Sequence, residues 1–159
     1  MSGELNLQNR HSVRRLDLSL LRTIVQAVLQ ELFPGVEDYE LGIYLVSESE
    51  ITRLNEQFLR HPGPTDVLTF DYREAGKGAE TVRAEIFVCT DEAATHSRRF
   101  HTRWPGEVVR YVVHGLLHLR GYDDQLLPMR RAMQRAESRL LRRLARQFDF
   151  NQLARQGNK

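Results

Sequence analysis

Residues 114–124, His114-Gly115-Leu116-Leu117-His118-Leu119-Arg120-Gly121-Tyr122-Asp123-Asp124, constrain this chain more than any other stretch. Two histidines four apart share one face of a helix, a single turn from each other. Glycine readily takes the left-handed conformation that ends helices, so Gly121 predicts a stop and a reversal. A chain that folds back there carries Asp124 toward the two imidazoles. Two nitrogens and one carboxylate oxygen leave a fourth position open, which is the layout of a catalytic zinc site rather than a closed structural one. Asp123 is a rival ligand, but the spacing favours Asp124.

Such a site predicts a metal-dependent hydrolase. Gly115 disfavours a peptidase of the His-Glu-x-x-His type, which carries its catalytic glutamate directly after the first histidine. His11, His61, His96 and His101 lack a comparable pattern and read as surface or core residues, with His61 of interest for its loop neighbours. A lone cysteine, Cys89, excludes an intrachain disulfide and a multi-cysteine metal site. Within Ile86-Phe87-Val88-Cys89 it reads as a small buried thiol. No apolar run approaches membrane-spanning length and the first residues lack a signal-peptide pattern, so the expected location is cytoplasmic, with no membrane partner.

The 159 residues predict a single domain, 1–159, with a sizeable core. Leu5 to Gln8 reads as an edge strand. Asp17 is placed to cap a helix with Leu20, Leu21, Ile24, Val25, Val28, Leu29 and Leu32 on its apolar side, stopped by Pro34-Gly35. Tyr39 to Val46 reads as a strand with Leu41, Ile43 and Leu45 on one face. Ser47 and Glu50 predict a capping box for a helix that buries Ile51, Leu54 and Phe58. His61 to Pro64 is a loop before the strand Asp66–Phe70, and residues 73–81, with Gly76-Lys77-Gly78, read as a hairpin connection to the strand Glu85–Cys89. Thr90 or Asp91 is expected to cap the next helix, which runs to about Phe100.

Pro105 and Pro128 suit the first turns of two further helices. The run from Val108 to Val113 has strand propensity, yet Val109, Val112, Val113, Leu116 and Leu117 recur at helical spacing, and the paired histidines require a helix. The final helix carries Met129, Met133, Leu140, Leu141 and Leu144 as apolar positions. The expectation is an α+β fold: a small mixed sheet of about four strands packed with about five helices, with a zincin-like metal helix buried against the sheet.

The net charge of +2 hides an uneven distribution. Pro128 to Lys159 carries nine Arg and Lys against Glu137 and Asp149, whereas Glu37 to Glu56 is acidic. A basic helix is usually only a solvated face, but arginine dominance suits bidentate phosphate contacts, and nucleic acid is a fair partner on that ground.

The stretch from His114 to Asp124 resembles the signature His-Gly-x-Leu-His-Leu-x-Gly-Tyr-Asp-His of the YbeY family, single-strand-specific endoribonucleases implicated in ribosomal RNA maturation. A second block, Asn-x-x-Tyr/Phe-Arg followed by Pro-Thr-Asp-Val-Leu-Ser-Phe, is matched by Asn55, Phe58 and Pro64-Thr65-Asp66-Val67-Leu68-Thr69-Phe70. A third, Gly-Asp/Glu-Ile, is approximated by Ala84-Glu85-Ile86. The resemblance spans roughly residues 40–145. It implies an α+β fold, one zinc ion at the three signature positions His114, His118 and Asp124, and RNA as substrate, with ribosomal small-subunit proteins as candidate partners. Other divalent metals are alternatives to zinc.

Two departures carry consequences. Asp124 replaces the third histidine; its charge partly neutralises a bound cation and shifts the site toward harder metals. Leu59 stands where the family pattern has an arginine associated with activity; adjacent Arg60 is the candidate substitute, the alternative being that this contribution is absent. Arg60 is thus the candidate for neutralising charge on phosphate, and Asp66 and Glu85 are candidate acid–base or supporting groups. Thr65 and Thr69 read as strand residues as readily as site residues. No general base is singled out, and a ribose 2′-hydroxyl is an alternative nucleophile. The competing functions are a ribosome-associated RNA-binding factor with a structural metal and a metal hydrolase of a non-RNA substrate.

Overall fold

Leu41, Ile43 and Leu45 alternate with Gly42, Tyr44 and Val46, giving one strand two apolar faces, and the molecule is layered around that strand. A computed structural model describes residues 2–36, 38–74 and 81–158. In chain order the elements are β1 (Ser2–Asn9), α1 (Leu18–Leu32), β2 (Asp38–Val46), α2 (Glu48–Leu54), β3 (Val67–Asp71), β4 (Val82–Cys89), α3 (Thr90–Phe100), α4 (Trp104–Arg120) and α5 (Leu127–Gln147). The sheet order is β1-β2-β4-β3, with β1, β2 and β4 parallel and β3 antiparallel to β4. Four strands and five α-helices in a mixed α+β arrangement match the expectation, including β1 at an edge.

One face of the sheet presents Leu5, Leu7, Leu41, Ile43, Leu45, Ala84, Ile86 and Val88 to α1, α4 and α5 in the main core. The other presents Tyr44, Val46, Leu68, Phe87 and Cys89 to Ile51 of α2. α4 lies in the main core, burying Val109, Val112, Val113, Leu116 and Leu117. Burial on that scale overrides the strand propensity of its valines. Among the described residues, no helix is long and apolar enough to cross a membrane.

Several local expectations are corrected, each because a tertiary partner competes for the group. Ser47 Oγ accepts from the Glu50 amide at 3.2 Å, but the Glu50 carboxylate pairs with Arg10 at 2.9 Å, so the box is half made. α3 is capped by Cys89, whose Sγ accepts from the Glu92 amide at 3.4 Å. Thr90 Oγ1 instead donates to Val46 O, and Asp91 accepts from the Glu48 amide and sits against His11 and Arg14.

After α2 the backbone widens into a π turn over Asn55–Leu59, which rotates Phe58 outward to 57% exposure. Met129 is likewise exposed, at the start of α5. A 3₁₀ segment, Phe150–Asn158, follows α5 and buries Leu153, whose carbonyl accepts from the Asp17 amide at 2.8 Å. The Gly76-Lys77-Gly78 stretch lies outside the described residues, and the strands flanking it pair antiparallel.

Candidate metal centre

The close approach of α4 to the sheet depends on Gly115. A Cβ there would lie 2.9 Å from Thr69 Oγ1 and 3.0 Å from Ile86 Cδ1, so the backbone between the two histidines rests directly on β3 and β4. Thr69 therefore lies beneath the helix as a packing neighbour. His114 and His118 project from the adjoining flank of the helix, about 60–100° round from Gly115, their rings 4.8 Å apart and nearly perpendicular.

The helix ends as its sequence dictates. Gly121 has φ 116°, its amide donates to His118 O at 3.0 Å, and the Tyr122 amide donates to Leu117 O at 3.0 Å. This paired closure, a Schellman arrangement, satisfies the last carbonyls and reverses the chain. Asp124 Oδ2 consequently lies 3.6 Å from both His114 Nε2 and His118 Nε2. Asp123 turns away, its Oδ1 accepting from the Gln125 amide at 3.0 Å.

The remaining ring nitrogens decide which atoms face the cluster. His118 Nδ1 is 3.1 Å from Tyr122 O, and a carbonyl oxygen only accepts, so Nδ1 carries the hydrogen and neutral His118 presents a bare Nε2. His114 Nδ1 is 3.0 Å from Glu137 Oε1, which orients that ring in the same way. The Glu137 hydrogen bond also raises the pKa of His114, against a desolvation effect of opposite sign. Such outer partners fix the tautomer and basicity of metal-binding histidines.

The donor set fits a divalent cation. All three donor atoms lie within 4.8 Å of one another. Two ligands on one tetrahedral ion, each at about 2.1 Å, stand about 3.4 Å apart, close to the observed histidine–aspartate separations. The cluster opens into a cavity of about 260 Å³ that Asp66, His96, Arg110, Tyr111, Arg130 and Gln134 help to line.

Of the other sequence candidates, Asp66 reaches this cavity and Glu85 does not. Ile86 faces α4, so the neighbouring Glu85 points to the other side of the sheet, where it accepts from Tyr44 at 3.1 Å and Tyr72 at 2.8 Å. Arg60 is exposed, in the left-handed conformation that ends the π turn. It begins the loop that leads to Asp66, and buried Asn55 pins that loop by donating to Gly63 O at 3.1 Å.

Glu137 is a further residue of the site, one that the sequence pattern offers only as a counter-charge. The available signal was its place in α5: it falls at helical spacing within the buried series Met133, Leu140 and Leu144, where an acid has no reason to be unless paired. Its second oxygen is held by Arg110 at 3.2 Å, and Arg110 also contacts buried Glu107 at 3.2 Å. Glu137→Gln is expected to weaken zinc binding by roughly 10- to 100-fold without unfolding the protein. A competition titration against a chromophoric chelator measures this, and unchanged affinity would show that Glu137 does not support the site.

Residues 6–145 match the model of a family described as Endoribonuclease YbeY. The Salinibacter ruber Endoribonuclease YbeY is 38% identical over 125 residues, covering 76% of this chain and 78% of that protein. The Chlorobium luteolum Endoribonuclease YbeY is 34% identical over 143 residues, covering 89% of this chain and 100% of that protein. The solution structure of TM1509 from Thermotoga maritima superimposes with a TM-score of 0.59 at 29% identity, covering 89% of this chain and 88% of that one.

Proposed function

Because the chain belongs to the YbeY family, we propose that it is a metal-dependent endoribonuclease that cuts single-stranded RNA in ribosomal RNA maturation. The observation that carries this reading is the His114, His118 and Asp124 cluster, open on one side and built at the three signature positions, with Asp124 standing in for the third histidine. Zinc is the proposed ion, held by the two Nε2 atoms and Asp124 Oδ2, and it would supply Lewis-acid charge neutralisation and water activation. The helix is zincin-like in its histidine spacing alone, since Gly115 leaves no carboxylate at the peptidase position.

The protein groups around the cluster divide the remaining work. Asp66, on the cavity wall, is the proposed proton acceptor for the attacking hydroxyl. Arg130 donates through Nε to Asp124 O at 3.2 Å, which keeps its remaining N–H groups beside the cavity for a phosphoryl oxygen. Arg60 is proposed to contact the strand from the adjoining loop. Glu137 and Tyr122 O hold the imidazoles in place. Ribosomal small-subunit proteins are the proposed macromolecular context, and the cytoplasm the proposed location.

A labelled single-stranded ribosomal RNA fragment, incubated with metal-analysed protein, tests the reading. Cleavage is expected to stop with chelator, return with zinc, and be absent in His114→Ala. Fully metallated protein that binds the fragment without cutting it would overturn the nuclease and leave an RNA-binding factor with a structural ion.

A further inference from the structure

The outer face of α5 is a strongly charged surface that this chemistry does not use. Arg131, Arg135, Arg139, Arg142 and Arg146 are all exposed, and among the described residues none has an ion-pair or hydrogen-bond partner. Other arginines nearby are engaged: Arg143 pairs with Glu31 at 2.7 Å, and Arg110 with Glu137. At 100° per residue the five unpaired side chains fall within an arc of about 80°, over about 22 Å of helix.

That arrangement works against the isolated helix. Like charges three and four residues apart repel. The one acid of α5, Glu137, faces Arg110 and His114 instead and does not offset this. A local choice that opposes the fold is expected where a ligand supplies the missing counterpart. Guanidinium groups without neighbouring carboxylates suit phosphate oxygens, which they grip in a bidentate fork. α5 contains no aromatic residue, so the face has no platform for stacked bases and suits a polyanionic backbone rather than a base sequence.

Position supplies the second argument. Arg131, Gln134, Arg135, Ser138, Arg139 and Arg142 line a shallow groove, and Gln134 also lines the cavity at the metal cluster. The groove and the cavity are therefore adjoining parts of one surface. We propose that the arginine face of α5 is a track for the phosphate backbone of single-stranded RNA, along which the strand leaving the metal cavity runs toward the end of the helix. The direction of the track rests on the nuclease reading; the binding itself does not.

The test measures binding of a fluorescein-labelled 2′-O-methyl oligouridine 12-mer to the zinc-loaded protein by anisotropy across a salt series. Replacing Arg135, Arg139 and Arg142 together by Gln removes three of the proposed phosphate contacts. The slope of log affinity against log salt should become shallower by about 2, with affinity falling on the order of 100-fold at 0.1 M salt. A charge-matched control, Arg53, Arg98 and Arg99 to Gln, should retain the wild-type slope. An unchanged slope in the α5 variant, an equal fall in the control, or no binding by the wild type would each overturn the track. Protein that binds in this way but cuts no RNA keeps the track and loses the nuclease. Protein that cuts RNA, with an unaltered slope in the α5 variant, does the reverse.

Discussion

Asp124→Ala is expected to lower zinc affinity by roughly 100- to 1000-fold while leaving the fold intact. The magnitude follows from sharing the binding energy of a four-ligand zinc site, about 10–16 kcal/mol, among its ligands. Two imidazoles remain, still aimed by Glu137 and Tyr122 O, so residual binding should persist. The fold should survive because the loop is tied through backbone atoms: Asp124 O accepts from Arg130, and Gly121 and Tyr122 close the helix. Asp124→His is the informative companion. A neutral third ligand should raise the preference for zinc over magnesium or manganese and leave more charge on the ion to polarise a phosphate. Chelator competition with each metal measures both variants. An alanine variant with wild-type affinity would remove Asp124 from the site.

Gly115→Glu would create the peptidase-like His-Glu-x-x-His pattern, and the expected result is a protein that does not fold. The position is buried, and even a methyl group meets Thr69 Oγ1 at 2.9 Å and Ile86 Cδ1 at 3.0 Å. A glutamate would also bring a charge into that contact, at a cost of several kcal/mol beyond the steric one. Against a total stability of about 5–15 kcal/mol, the sum is disabling. Gly115→Ala keeps the test quantitative. Overpacking costs about 1–3 kcal/mol, and roughly 1 kcal/mol returns because alanine is the better helix former, leaving a net loss of up to about 2 kcal/mol. Urea denaturation reads the alanine loss as a lower midpoint, and soluble expression reports on the glutamate variant. A Gly115→Glu protein of wild-type stability would show that the helix does not rest on the sheet here.

Asp124 is a matter of local geometry: two histidines one turn apart, a glycine that reverses the chain, and a carboxylate three residues on. Every step lies within eleven residues, and the Schellman closure at Gly121 and Tyr122 carries it out. The apolar face of β2, the Asp17 cap and the prolines at the starts of α4 and α5 were legible for the same reason.

Glu85 and Glu137 show the limit. Strand alternation puts Glu85 opposite Ile86, but which of them faces the metal helix depends on the side of the sheet that α4 covers. Glu137 lies 23 positions beyond His114 and meets it only because α5 packs beside α4. Cys89 caps α3 because Thr90 and Asp91 are drawn to Val46, Glu48 and His11. The helix, the turn and the clustering of His114, His118 and Asp124 are local matters, since hydrogen bonding and backbone conformation act over a few residues. Which partners orient the two imidazoles and which acids stay away follows from packing, because burial is shared among elements distant in the chain.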